Sequence, residues 1–122
     1  DDLSVAQARR LAPGCFIGKS THSLDQALRA QDEEPDYLAL GPVFETPTKR
    51  RGSAPVGLSV LEQAARILVL PWVAIGGISL ENAAGVLDSG ARRIAVVRAV
   101  VGAQDIGQAC RGSLRILDCH GR

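Results

Sequence analysis

Pro71-Trp72-Val73-Ala74-Ile75-Gly76-Gly77-Ile78 and Arg93-Ile94-Ala95-Val96-Val97-Arg98-Ala99 decide the fold of this chain. Each contains a short apolar run rich in β-branched residues, the composition of a buried strand. The first run ends in Gly76-Gly77, and a helical pattern opens at Ser79 and runs to Asp88, ahead of Gly90. Residues without a Cβ let a backbone N–H approach a bulky anion. A helix start adds unpaired donors and a positive dipole end. A strand, a glycine pair and a helix, followed about twenty residues later by a second strand and turn, is how the last two units of a (β/α)8 barrel hold a phosphate. The pair therefore predicts a phosphate-ester site between two turns.

Outward from this pair, strands and helices alternate. Upstream, Ser4 to Leu11 reads as a helix capped by Ser4, with Gln7 at the capping-box position. Cys15 to Gly18 reads as a strand running into the polar cluster Lys19-Ser20-Thr21-His22. Ser23 caps a helix over Leu24 to Gln31, and the acidic stretch Asp32 to Asp36 is a loop. Tyr37 to Leu40 is a strand ending at Gly41-Pro42, and Val43 to Gly57 is a long loop, a length that usually carries function. Ser59, with Glu62 three residues on, is expected to cap a helix to Leu70, with Val60, Leu61, Ala64 and Leu68 on one face. Downstream, a strand over Ile94 to Val97 precedes a helix from Asp105 to about Leu117 and a polar tail, residues 118–122. This α-β-α-β-α-β-α-β-α order means a parallel sheet covered by helices, with the polar clusters at the carboxyl edge where α/β folds place their sites. Element order alone also admits a flavodoxin-like open sheet.

Composition narrows the function. The formal net charge is +1 and aromatics make up 3% of the chain, so neither a nucleic-acid surface nor a base-stacking platform is indicated. No apolar run has the length of a membrane span. Three cysteines, Cys15, Cys110 and Cys119, lack metal-ligand spacing and read as cytoplasmic free thiols. With His22 and His120 the only histidines, a histidine-based metal cluster is disfavoured. The chain contains no Met and begins Asp1-Asp2-Leu3, which reads as a fragment lacking an N-terminal part.

With these clusters placed, the chain resembles the thiamin-phosphate synthase family over residues 1–117. Four stretches carry the resemblance in the family's order: Ile17-Gly-Lys-Ser-Thr-His-Ser23, Gly41-Pro-Val-Phe-Glu-Thr-Pro-Thr-Lys49, Val73-Ala-Ile-Gly-Gly-Ile78 and Ile94-Ala-Val-Val-Arg-Ala99. The resemblance implies the C-terminal half of a TIM (β/α)8 barrel, about four parallel strands with covering helices. It also implies a transferase that joins hydroxymethylpyrimidine diphosphate to thiazole phosphate and releases pyrophosphate, with Mg2+, through a pyrimidine carbocation. By the same resemblance, Asp2 ends the family's Gly-Gln-x-Asp magnesium motif. Ser20 contacts the pyrimidine diphosphate, and Thr46, Pro47 and Thr48 line the thiazole-phosphate pocket. Lys49 binds the diphosphate. Gly77, Val97 and Arg98 hold the thiazole phosphate, chiefly by backbone N–H. Arg98 stands where many relatives have Ser, adding positive charge. Because the family's pyrimidine-binding and first magnesium-binding motifs lie on strands outside this sequence, the fragment alone is expected not to catalyse the full reaction.

The residue types suit that chemistry. Departing pyrophosphate develops negative charge on oxygen, which a metal and a fixed ammonium can meet. No general base is needed to form a carbocation. His22 is expected to be structural, bonding a backbone carbonyl. Two competing functions are a thiazole tautomerase-like isomerase on the same fold and a non-catalytic phosphate-binding or assembly module. A half-barrel leaves unpaired sheet edges, so self-association or pairing with a missing N-terminal half-barrel is expected.

Overall fold

The computed structural model describes residues 3–45 and 54–96. In these residues the chain runs α1 (Val5–Leu11), β1 (Gly18–Thr21), α2 (Leu24–Gln31), β2 (Tyr37–Leu40), α3 (Gly57–Ile67), β3 (Trp72–Ile75), α4 (Ala83–Asp88) and β4 (Ile94–Ala95). The four strands are all parallel and lie in the order β1-β2-β3-β4. A flavodoxin-like sheet reverses direction about its first strand. Here each strand instead follows its predecessor, as successive units of a barrel do. The expected final helix and the tail lie outside the described residues.

Strand register divides the sheet into two unlike faces. Lys19 pairs with Leu38 and Leu38 with Trp72, and Thr21 is level with Leu40, Ala74 and Ile94. Side chains alternate across a strand, so these residues share one face. That face meets Ala27 and Ala30 of α2, Leu61 and Ala64 of α3, and Ala83 and Val86 of α4 in a single core. Leu38, Leu40 and Ala74 are fully buried there. The opposite face carries Gly18, Ser20, Tyr37, Ala39, Val73, Ile75 and Ala95, and none of them is buried. Tyr37 lies across Gly18 on this face. The fold is thus an α/β half-barrel with helices on its outer side.

Capping explains the helices, and it also corrects several expected boundaries. Ser4 accepts from the Gln7 amide and the Gln7 side chain accepts from the Ser4 amide, the reciprocal box read from the sequence. Ser23 accepts from the Gln26 amide. At α3 the expected Ser59 cap is absent, because the helix starts at Gly57 behind Val56 with no side-chain cap. The amides of Val56 and Gly57 donate instead to the carbonyls of Pro42 and Val43, at 2.8 and 3.1 Å. Loop closure thus does the work of a cap. The helix stops at Ile67, short of Leu70, where Gln31 Oε1 accepts the amides of both Val69 and Leu70.

The first strand is also displaced from its expected place. It begins at Gly18 rather than ending there, and Phe16, read as a strand residue, is 87% exposed. Asp36 accounts for the approach to β1. Its carboxylate accepts the Ile17 amide at 2.6 Å and pairs with Arg9 of α1. The Ile17 amide, aided by Arg9, holds the Asp36 carboxyl below the usual aspartate range. A carboxyl shifted this way stabilises the fold above its unfolded-state value, and that contribution disappears as pH falls through the folded value. Asp36→Asn is therefore expected to lower the melting temperature at neutral pH, with the gap to wild type closing on acidification. Thermal denaturation from neutral to strongly acidic pH measures both effects.

Candidate functional site

Beyond the carboxyl ends of β2 and β3 two turns interlock through their backbones. The Val43 amide donates to the Ile75 carbonyl at 3.0 Å and the Phe44 amide to the Gly76 carbonyl at 3.1 Å. Gly76 and Gly77 take φ of +103° and +70°, a region that side chains rarely occupy. Space excludes side chains as well: a Cβ on Gly76 would lie 2.5 Å from Pro42 Cα, and one on Gly77 would lie 2.9 Å from Phe44 Cβ. The glycine pair is thus required first by the neighbouring loop, before any anion is considered.

The turn after Gly77 is braced by Asn82. Its Nδ2 donates to the Gly77 carbonyl at 3.0 Å and its Oδ1 accepts the Ser79 amide at 2.8 Å. The expected helix start at Ser79 is corrected accordingly: α4 begins at Ala83. Ser79 to Asn82 forms a turn closed by the Ala83 amide on the Ser79 carbonyl. The Ser79 amide is engaged by a side chain, and regular helix begins beyond the residues expected to face an anion. Asn82 went unnoticed in the sequence, although asparagine in a helical pattern is a signal for a cap or turn. Beside this turn, the Ser79 hydroxyl and the Glu81 amide hold the Glu81 carboxyl below its ordinary range.

Ser20 is exposed on the sheet face opposite the core, within β1 rather than after it. Register sets it level with Ala39 and Val73, four residues before Gly77 on the chain of β3. It borders a groove of about 340 Å³ that also involves Lys19, His22, Gln26, Arg29 and Glu33. Lys19 Nζ stands 3.7 Å from Glu33 Oε2 in this groove. His22 behaves as expected, its Nδ1 lying 2.9 Å from the Gly41 carbonyl. Asp2, Thr46, Pro47, Thr48, Lys49, Val97 and Arg98 lie outside the described residues, so Ser20 and Gly77 are the expected site residues with a described place. Among the described residues no three His, Cys, Asp or Glu side chains converge as a metal site would require. Cys15 is an exposed free thiol, and no described helix is long and apolar enough to cross a membrane.

The sequence model of the thiamine monophosphate synthase family matches residues 1–100. The chain belongs to that family. The thiamine-phosphate synthase of Deinococcus radiodurans is 48% identical over 122 residues, which span 99% of this chain and 43% of that protein. The Thermus thermophilus thiamine-phosphate synthase is 51% identical over 112 residues, 91% of this chain and 53% of that one. A solved Pyrococcus furiosus thiamine phosphate pyrophosphorylase superposes with TM-score 0.87 at 37% identity, covering 97% of this chain and 56% of that chain. The native KDPGal structure, at 15% identity and TM-score 0.72, shares the fold alone. This chain spans about half the length of these thiamine monophosphate synthase family relatives.

In this family member the interlocked turns generate a direct prediction. Gly76→Ala imposes a left-handed conformation on a residue with a Cβ and drives it into Pro42. The loss in unfolding free energy is expected to be at least about 1–3 kcal/mol, the usual penalty for such a conformation. Urea denaturation measures it.

Proposed function

We propose that this chain serves as the C-terminal half of a thiamin-phosphate synthase barrel, joining hydroxymethylpyrimidine diphosphate to thiazole phosphate with release of pyrophosphate. The observation that carries this reading is the match to the thiamine monophosphate synthase family over residues 1–100, a range that includes all four quoted stretches. The geometry agrees with it. The sheet face opposite the core bears Ser20, and the loops that follow β2 and β3 meet at its carboxyl edge.

In this reaction the C–O bond between the pyrimidine methylene and the diphosphate breaks, and a C–N bond to the thiazole nitrogen forms. The electron pair of the broken bond leaves with pyrophosphate. Lys49, on the β2–α3 loop, meets that charge with a fixed ammonium, which is worth more in a water-poor site than in solution. Ser20 gives the pyrimidine diphosphate a directional hydroxyl. Thr46, Pro47 and Thr48 line the thiazole-phosphate pocket, and Gly77, Val97 and Arg98 hold its phosphate. Asp2 would supply one carboxylate for Mg2+. The metal would add charge neutralisation at the diphosphate. An exposed free thiol suits a cytoplasmic protein.

Activity requires both barrel halves, so the test is a chimera in which this chain replaces the matched residues of the Thermus thermophilus relative. The chimera is expected to release pyrophosphate when given both substrates. Lys49→Ala in it is expected to lower turnover by roughly 10²–10³, the scale of one lost charge-stabilising donor. Turnover unaffected by that substitution would remove Lys49 from the reaction.

Among the described residues β1 is an edge strand and the sheet face opposite the core is not buried, and both invite a partner. In the isolated chain that partner is a second copy, standing in for the other half-barrel. Light scattering at high protein concentration is expected to give a mass above that of one 12.8 kDa chain; a monomer at every concentration would contradict this.

A further inference from the structure

The β2–α3 loop leaves and returns at a single point. Pro42 and Val43, where it departs, accept hydrogen bonds from Val56 and Gly57, where it ends. Its departing segment is tied to the end of β3 and the turn after it through Val43 and Phe44. On the opposite side it has one further anchor. The Gly41 amide donates to the Thr21 carbonyl at 3.1 Å, and the Gly41 carbonyl receives His22 Nδ1 at 2.9 Å. The His22 backbone is itself held, its amide donating to Gln26 Oε1 at 2.8 Å, while Gln26 is fixed by Ser23 at the start of α2.

A carbonyl only accepts, so the His22 ring must carry a proton on Nδ1. The neutral ring then has a bare Nε2. The ring is a rigid strut from the end of β1 to the last residue before the Pro42 turn. Together with the Gly41–Thr21 bond, it joins α2 and β1 to a loop that the bonds described also attach to β3 and α3.

We propose that His22 is a positioning residue. Through the Gly41 carbonyl it sets the angle at which the loop bearing Thr46, Thr48 and Lys49 leaves the sheet. The functional side of this proposal rests on the synthase reading; the mechanical side does not. A group displaced by about 1 Å can cost a factor of about 10² in rate, so a root fixed from both sides bears on turnover.

Two arms separate the two sides. In the 122-residue chain, His22→Leu removes the donor, whereas His22→Asn places an amide N–H close to where Nδ1–H stands. Amide hydrogen exchange at Val43 and Phe44 is expected to quicken roughly two- to ten-fold in His22→Leu, the scale of one neutral hydrogen bond. Ala27 in α2 should keep its rate, and His22→Asn should restore Val43 and Phe44. Nitrogen-15 spectra should show the neutral His22 ring protonated at Nδ1. In the Thermus chimera, His22→Leu is expected to lower kcat at least about ten-fold, with recovery in His22→Asn. Unchanged exchange at Val43 and Phe44, equal acceleration at Ala27, failure of asparagine to restore, or an Nε2-protonated ring would each overturn the positioning role. A wild-type chimera without turnover would instead overturn the synthase reading, and exchange would still decide the role of His22. Altered exchange in His22→Leu with unchanged kcat would confine His22 to the fold and overturn its bearing on the reaction.

Discussion

Two amide hydrogen bonds, from Val43 to Ile75 and from Phe44 to Gly76, bind the segment after β2 to the turn after β3. Both depend on backbones packed too closely for a Cβ at Gly76 or Gly77. That closeness links two features a sequence shows separately, a glycine pair and a long polar loop about twenty residues upstream of it. Because Val56 and Gly57 close the loop on Pro42 and Val43, the same contact also determines where α3 begins. The glycines are thus required by the fold itself.

The fold was legible wherever local chemistry and burial agree. Leu24–Gln31 and Tyr37–Leu40 occupy the positions that periodicity and capping indicate, and Ser4 with Gln7 forms the box their spacing implies. Less legible were places where a distant group replaces a local signal. Ser59 is a good cap by composition, yet carbonyls of Pro42 and Val43 take the amides at the start of α3 first. The apolar Cys15-Phe-Ile17 run looks more strand-like than Lys19-Ser-Thr21. The polar residues form the strand through their pairing with Tyr37–Leu40, where Thr21 also donates to the Ala39 carbonyl and Lys19 reaches Glu33. Asn82 was hidden by a pattern that continues smoothly into α4.

The candidate site was legible in a different way. Its positions were read from motifs matching a family, and the family model confirms that membership over residues 1–100. Of the residues singled out, Ser20 and Gly77 have a described place, and each adds something a motif does not contain. Ser20 lies within a strand, on the face opposite the core, and Gly77 is gripped through its carbonyl by Asn82. The spacing in a motif gives order along the chain, whereas register decides which side of the sheet a residue serves.

That alternation has a consequence for how such a chain can change. Leu38, Leu40 and Ala74 hold the helices, while Ala39, Val73 and Ile75, their immediate neighbours in sequence, face away from them. Core packing and the character of the opposite face are therefore written on alternate letters of the same strands. Mutation can explore one with little disturbance of the other, provided no insertion shifts a strand by a single residue and exchanges the two scripts.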